Sequence, residues 1–226
     1  MPIKKTYAEH GDACASAHGI ELIGDVWTYP ILRELFLGPK RFSELSSLLH
    51  GVTPAVLTAR LRDLDTKGLV QRLDTTSPAG GSIYQLTSWG HELERPLEGI
   101  ARWAQSSPTW DPSGGLTPDA AVLAMKTMAA GLTSPGSTLE FDLTLFDSRC
   151  TRPQDYTYRV KLDGTGLLVV RESTVIDDAD LRCDSTLWAN QLFDPNCPII
   201  GTSKDSAGPV GRFVAVYQAS LQSVEN

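Results

Sequence analysis

The chain is predicted to fold as an α+β protein of two domains, and three observations predict it. Residues 1–105 are dominated by helical apolar periodicity, interrupted once by two short alternating runs. Residues 117–226 switch to apolar–polar alternation flanked by helices. Between them, residues 106–116 (SSPTWDPSGGL) hold two prolines, two glycines and three serines, a composition that sustains neither helix nor central strand and reads as a linker. A length of 226 residues at about 150 per domain allows one large domain or two small ones.

In the first domain, residues 14–24 and 26–37 read as two helices, the second closed by Gly38-Pro39. Pro30 falls about one turn into the second helix, where it is expected to remove one backbone hydrogen bond. A short helix follows over 43–50, with Ser43 as expected N-cap and Leu45, Leu48 and Leu49 facing inward. After a tight turn at Gly51-Val52, Thr53 caps a further helix with Pro54 at its first position, and Gly68 ends it. Leu57, Leu61 and Leu64 form its buried stripe. Residues 69–74 and 82–86 then alternate as strands around a Pro/Gly loop, and a single long helix with a mild kink at Pro96 is expected over 87–105.

Helix, tight turn, capped helix and two strands make a winged helix-turn-helix. With the three leucines turned inward, the step of about 100° per residue puts Ala55, Ala59 and Arg62 on the opposite face and Thr58 beside them. Small residues allow close approach to a major groove, and Arg62 can donate to guanine or phosphate. Candidate DNA contacts are therefore Arg41, Ser43, Thr53, Ala55, Thr58, Ala59, Arg60, Arg62, Arg72 at the wing base and Ser77 in the wing. A protein-contact role for the same module is the bland alternative.

In the second domain, Thr117 and Pro118 open an amphipathic helix. Leu139, Phe141, Leu143 and Leu145 alternate with polar residues, and so do Tyr156, Tyr158, Val160 and Leu162. Asp163-Gly164 turns the chain into a third strand over 167–172. A fourth strand over 179–183 and helices over 185–193 and 210–221 complete an α+β layer of a helix, a mostly antiparallel sheet and closing helices. Met125, Met128, Phe141, Tyr158 and Trp188 either line a small apolar effector pocket or form the core.

The formal charge of −7 is uneven, with residues 40–72 carrying six cations against three acids. A polyanion partner must therefore meet a small, placed basic surface. The four cysteines form no C-x-x-C pair and the four histidines show no ligand spacing, so neither a metal nor a disulfide framework is expected. No apolar run is long enough to span a membrane, and residues 1–10 lack the apolar core of a secretory leader, so the expected location is the cytoplasm. No nucleophile-elbow, P-loop or dinucleotide glycine pattern occurs, and neither enzymatic activity nor a cofactor is expected.

The segment LIGDVWTYPILRELFLGPKRFSELSSLLHGVTPAVLTARLRDLDTKGLVQRL, followed by YQLTSWGHELERPLEGIARWA, resembles the HxlR-type regulators, relatives of the MarR group. The likeness covers about residues 14–105. It implies a homodimeric winged-helix repressor or activator that binds a palindromic double-stranded operator, with the helix over 87–105 packing on the partner's first helix. Cys14 stands near the place where redox-sensing members of the family hold a reactive cysteine, and a helix N-terminus favours the thiolate. Residues 117–221 resemble the sterol carrier protein-type domain through strand order and the DSTLW passage into a helix. That resemblance implies a small apolar effector or, if the first domain only dimerises, a ligand carrier.

Overall fold

The computed structural model describes residues 6–74, 82–129, 131–134, 136–194, 196–197 and 208–224. Its contacts divide the chain into two units, Met1–Leu93 and Glu94–Asn226.

The first unit runs α1 (Ala15–Ile23), α2 (Thr28–Leu35), β1 (Lys40–Arg41), α3 (Phe42–Leu48), α4 (Pro54–Thr66), β2 (Val70–Asp74), β3 (Ser82–Leu86) and α5 (Ser88–His91). The strands pair antiparallel in the order β1-β3-β2, which makes this a winged helix-turn-helix. Ile31, Leu32, Leu35, Leu45, Leu57, Leu61 and Leu64 fill its core. Pro30 proves harmless. It is the third residue of α2, where an N–H has no intrahelical partner in any case. The N-cap of α3 is Arg41 rather than Ser43, because the Glu44 carboxylate reaches back to accept the Arg41 N–H at 2.8 Å.

α4 ends as predicted. Gly68 adopts φ +74°, the Gly68 N–H donates to Asp65 O and the Leu69 N–H to Leu64 O, both at 3.0 Å. The Thr87–Gly90 stretch locks onto that end. Thr87 Oγ1 accepts the Gly90 N–H at 3.0 Å and donates to Gly68 O at 2.7 Å. Gly90 lies so close to the Leu69 carbonyl that a Cβ there would collide with backbone.

The long helix expected over 87–105 is two helices, α5 and α6 (Glu94–Ala104). Pro96 has no N–H for the Glu92 carbonyl and its ring crowds that group, so the chain tightens into three-residue turns at Glu92 and Leu93 before restarting. α6 belongs to the second unit, where Lys126 Nζ meets Glu94 Oε1 at 2.7 Å and Arg102 Nη1 donates to Thr127 O at 3.1 Å.

The rest of the second unit is α7 (Pro118–Met128), β4 (Leu139–Phe146), β5 (Tyr156–Asp163), β6 (Gly166–Arg171), β7 (Leu181–Asp184), α8 (Ser185–Phe193) and α9 (Pro209–Val224). The sheet order is β6-β5-β4-β7, antiparallel except for the parallel β4–β7 pair. Register puts Phe141 opposite Val160, Leu143 opposite Tyr158 and Leu145 beside Cys183, so one apolar face meets α7, α8 and α9. Behind β5, Asp119 of α7 is buried with its carboxylate accepting the Tyr158 hydroxyl at 2.6 Å and Arg171 Nη1 at 2.9 Å.

Asp184 joins β7 to α8 as N-cap, accepting the N–H groups of Thr186 at 2.8 Å and Leu187 at 3.2 Å, and that of Ser148 at 2.9 Å. Desolvation pushes its carboxyl up, but the amides of Ser148, Leu187 and Thr186 together outweigh it and lower the pKa. Ionised Asp184 therefore stabilises the fold above the ordinary carboxylate range, and that contribution is lost as pH falls through the depressed folded value. Asp184→Ala is expected to cost about 0.5–2 kcal/mol at pH 7 in urea unfolding, and a smaller amount at acid pH.

Candidate nucleic-acid interface

α3 and α4 meet through the turn at residues 49–53, where the Val52 N–H donates to Leu49 O at 3.2 Å. Thr53 caps α4, its Oγ1 accepting the Val56 N–H at 3.4 Å, and Pro54 occupies N1. Leu57, Leu61 and Leu64 are buried, the opposite face leaves Ala55, Ala59 and Arg62 exposed, and Val56 is exposed on the flank between them. Val56 was not among the expected contacts. Its position one residue before Leu57, off the buried stripe, is the signal that marks it.

The six cations of residues 40–72 have different fates. Lys40 is buried, donating from Nζ to Glu34 O at 2.7 Å with the Glu34 carboxylate 4.0 Å away. Arg60 pairs with Asp25 at 3.1 Å and Asp63 at 3.8 Å, and Lys67 pairs with Asp63 at 2.9 Å while donating to Leu22 O at 3.2 Å. These contacts clamp α4 to the segment around α1. Arg72 donates to Ser82 Oγ at 2.7 Å and Asp74 at 3.3 Å across the wing base. Arg41 is half-buried. Arg62 is exposed and forms no ion pair among the described residues.

The predicted contacts thus fall into groups. Thr53, Ala55, Ala59 and Arg62 are exposed at the start and along the outer side of α4, and Ser43 is exposed on α3. Thr58 is half-buried and returns its hydroxyl to Pro54 O at 2.8 Å. Arg60 and Arg72 are held in ion pairs within the unit. Ser77 lies outside the described residues.

Cys14 is exposed at the N-cap of α1. The amides of Ala17 and Ser16 in the open first turn lower its pKa, whereas burial and the Asp184 charge push the Cys183 thiol up to about 12. Iodoacetamide at pH 7 is expected to modify Cys14 more than about tenfold faster than Cys183, read by peptide mass spectrometry.

Of the expected effector residues, Met125, Phe141, Tyr158 and Trp188 are fully buried and Met128 is half-buried. Trp188 stacks on Phe213 at 6.3 Å and meets Phe141 edge-on, and Tyr217 Oη donates to Met125 O at 3.0 Å. These residues pack as core. Within it, Trp188 Nε1 and Gln191 Nε2 are buried donors with no acceptor among the described residues, three residues apart on α8. No helix among the described residues is long and apolar enough to cross a membrane.

The HxlR-like helix-turn-helix family profile matches residues 22–110. An HTH-type transcriptional regulator of Synechocystis is 35% identical over 89 residues, 39% of this chain and 66% of its own. The HTH-type transcriptional regulator YkvN of Bacillus subtilis is 34% identical over 83 residues, 37% of this chain and 70% of its own. The crystal structure of the HTH-type transcriptional regulator ytcD is 32% identical, covering 41% of this chain and 94% of its own, with a TM-score of 0.39. Five of the curated relatives are matched over only 52% to 67% of their own length. On the match to YkvN, and with the family profile lying across the helix-turn-helix just described, the chain belongs to the HxlR-like helix-turn-helix family.

Proposed function

We propose that the protein is a homodimeric transcription regulator, a repressor in its simplest form, acting in the cytoplasm. The α4 helices of two subunits enter major grooves about 34 Å apart on a palindromic operator. The observation that carries this reading is the open face of α4, with small side chains at its N-terminal half and Arg62 presented free of ion pairs among the described residues. Ile20 and Val26 in the first unit are 55% and 78% exposed, and Trp103 on α6 is 76% exposed, as apolar surface reserved for a second subunit would be. With few unneutralised cations, specific binding is expected to show a shallow salt slope. The test is a gel shift of the full chain against DNA upstream of its own gene, over a salt series. Specific retardation supports the regulator, and a protein that shifts no specific duplex at moderate salt is instead a carrier that uses its first unit to dimerise.

The second unit, read as sterol carrier-type, takes a small apolar effector in this account. The donors Trp188 Nε1 and Gln191 Nε2 would meet a carbonyl or carboxylate on it. An effector regulates only by binding free and DNA-bound forms unequally. Native mass spectrometry of the purified protein reads subunit number and any retained molecule together. A second reading, redox or electrophile sensing, is favoured by the exposed, pKa-lowered Cys14. Under that reading oxidant releases the wild type from DNA and leaves Cys14→Ser bound. Equal release of both proteins would eliminate it.

A further inference from the structure

We infer that α4 reads its operator chiefly through thymine 5-methyl groups, with Val56 as the principal contact and Arg62 placed to read a guanine beside them. The inference rests on the DNA-binding reading and concerns which bases that face selects.

In the major groove adenine is recognised by Asn or Gln, cytosine by Asp or Glu, guanine by Arg or Lys, and thymine by apolar contact with its methyl. No Asn, Gln or Glu occurs in Pro54–Thr66. Asp63 is held by Lys67 at 2.9 Å and Arg60 at 3.8 Å, and the other aspartate, Asp65, stands in the last turn, away from the N-terminal half. Thr58 gives its hydroxyl proton to Pro54 O, and Thr53 Oγ1 accepts the capping Val56 N–H. Polar readout from the N-terminal half of α4 is therefore largely occupied within the subunit. What the helix offers outward is Ala55, Val56 and Ala59, then Arg62 one turn further.

Val56 is the telling residue. It is 37% exposed on a helix whose other large apolar side chains, Leu57, Leu61 and Leu64, are buried. A β-branched residue on a helix surface adds nothing to helix propensity, and here its methyls meet solvent. From Ala55 to Ala59 the helix rises about 6 Å, close to two base-pair steps of about 3.4 Å. Ala55 and Ala59 can thus reach pairs about two steps apart, with Val56 about 1.5 Å beyond Ala55 and turned about 100° from it, and Arg62 lies roughly one further step along.

The test begins with the full chain selecting duplexes from a random-sequence pool. The selected half-site is expected to hold thymine at two or three adjacent positions with a guanine next to them. Each thymine is then replaced by deoxyuridine, which deletes the methyl and leaves every phosphate and hydrogen-bonding group in place. Affinity is expected to fall about fourfold for each contacted methyl. Val56→Ala, at an exposed site, should keep the wild-type melting temperature and lose uracil sensitivity at one position, while Val56→Thr keeps part of it. Wild-type affinity for the fully uracil-substituted half-site would overturn methyl readout and leave DNA binding standing. Undiminished uracil sensitivity at every position in Val56→Ala would overturn the assignment to Val56. If no sequence is enriched at all, the regulator reading falls together with this one.

Discussion

Asp119→Ala is expected to lower the unfolding free energy of the second unit by about 3–5 kcal/mol. Asp119 is buried at the first turn of α7, where the helix N-terminus favours a negative charge. It receives Arg171 from β6 and the Tyr158 hydroxyl from β5. Truncation leaves a nearly buried guanidinium without this carboxylate and a fully buried phenol without this acceptor, and such groups cost far more than the pair itself contributes. Urea unfolding of the full chain, followed by hydrogen exchange in β5 and β6, measures the loss. Asp119→Asn, which keeps an acceptor, should fall between wild type and Ala. A loss under about 1 kcal/mol for Asp119→Ala would mean that the ion pair is not what joins α7 to the sheet.

Arg62→Ala is expected to weaken specific DNA binding by about 1–3 kcal/mol and to relax preference at one position of the half-site. The side chain is exposed, so stability should move by less than about 0.5 kcal/mol, which separates lost recognition from lost folding. Arg62→Lys keeps the charge but not the planar fork. It should restore the salt dependence and not the base preference if the contact is to guanine. Fluorescence anisotropy against the selected duplex at two salt concentrations checks both. Wild-type affinity in Arg62→Ala would place recognition on another surface.

Much of this architecture was readable along the chain because it is locally encoded. The alternation of β4 and β5, the Thr53-Pro54 start of α4 and its Gly68 end each declare themselves within a few residues. The misses have non-local or competing causes. β1 is two residues long and exists only because Lys40 and Arg41 pair with Tyr84 and Ile83, some forty residues on. The parallel partnership of β7 with β4 is likewise set by tertiary packing. At Pro96 the apolar stripe of residues 89–104 argued for continuity, and the missing N–H with its ring clash overrode it.

The candidate site was legible as a helix face but not as a charge pattern. The excess of cations over residues 40–72 suggested a basic surface, yet Asp25 neutralises Arg60, and Glu34 draws Lys40 inside. Neither acid could be assigned to its partner before the fold was known. Arg62 stayed outward because the 100° step from Leu61 carries it away from the core. Val56 is absent from the expected contacts because an apolar residue beside a buried leucine reads as core, although the 100° step from Leu57 already turns it off the buried stripe.

The central claim is that the N-terminal half of α4 lies in a major groove. It is tested most directly by affinity cleavage, with an iron chelate tethered to Ala59→Cys in a chain whose Cys14 and Cys197 are replaced by serine. The account predicts two clusters of strand cleavage, centred in major grooves about one helical turn apart on the selected duplex. Cleavage scattered evenly along that duplex, while the same protein still binds it specifically, would contradict the account.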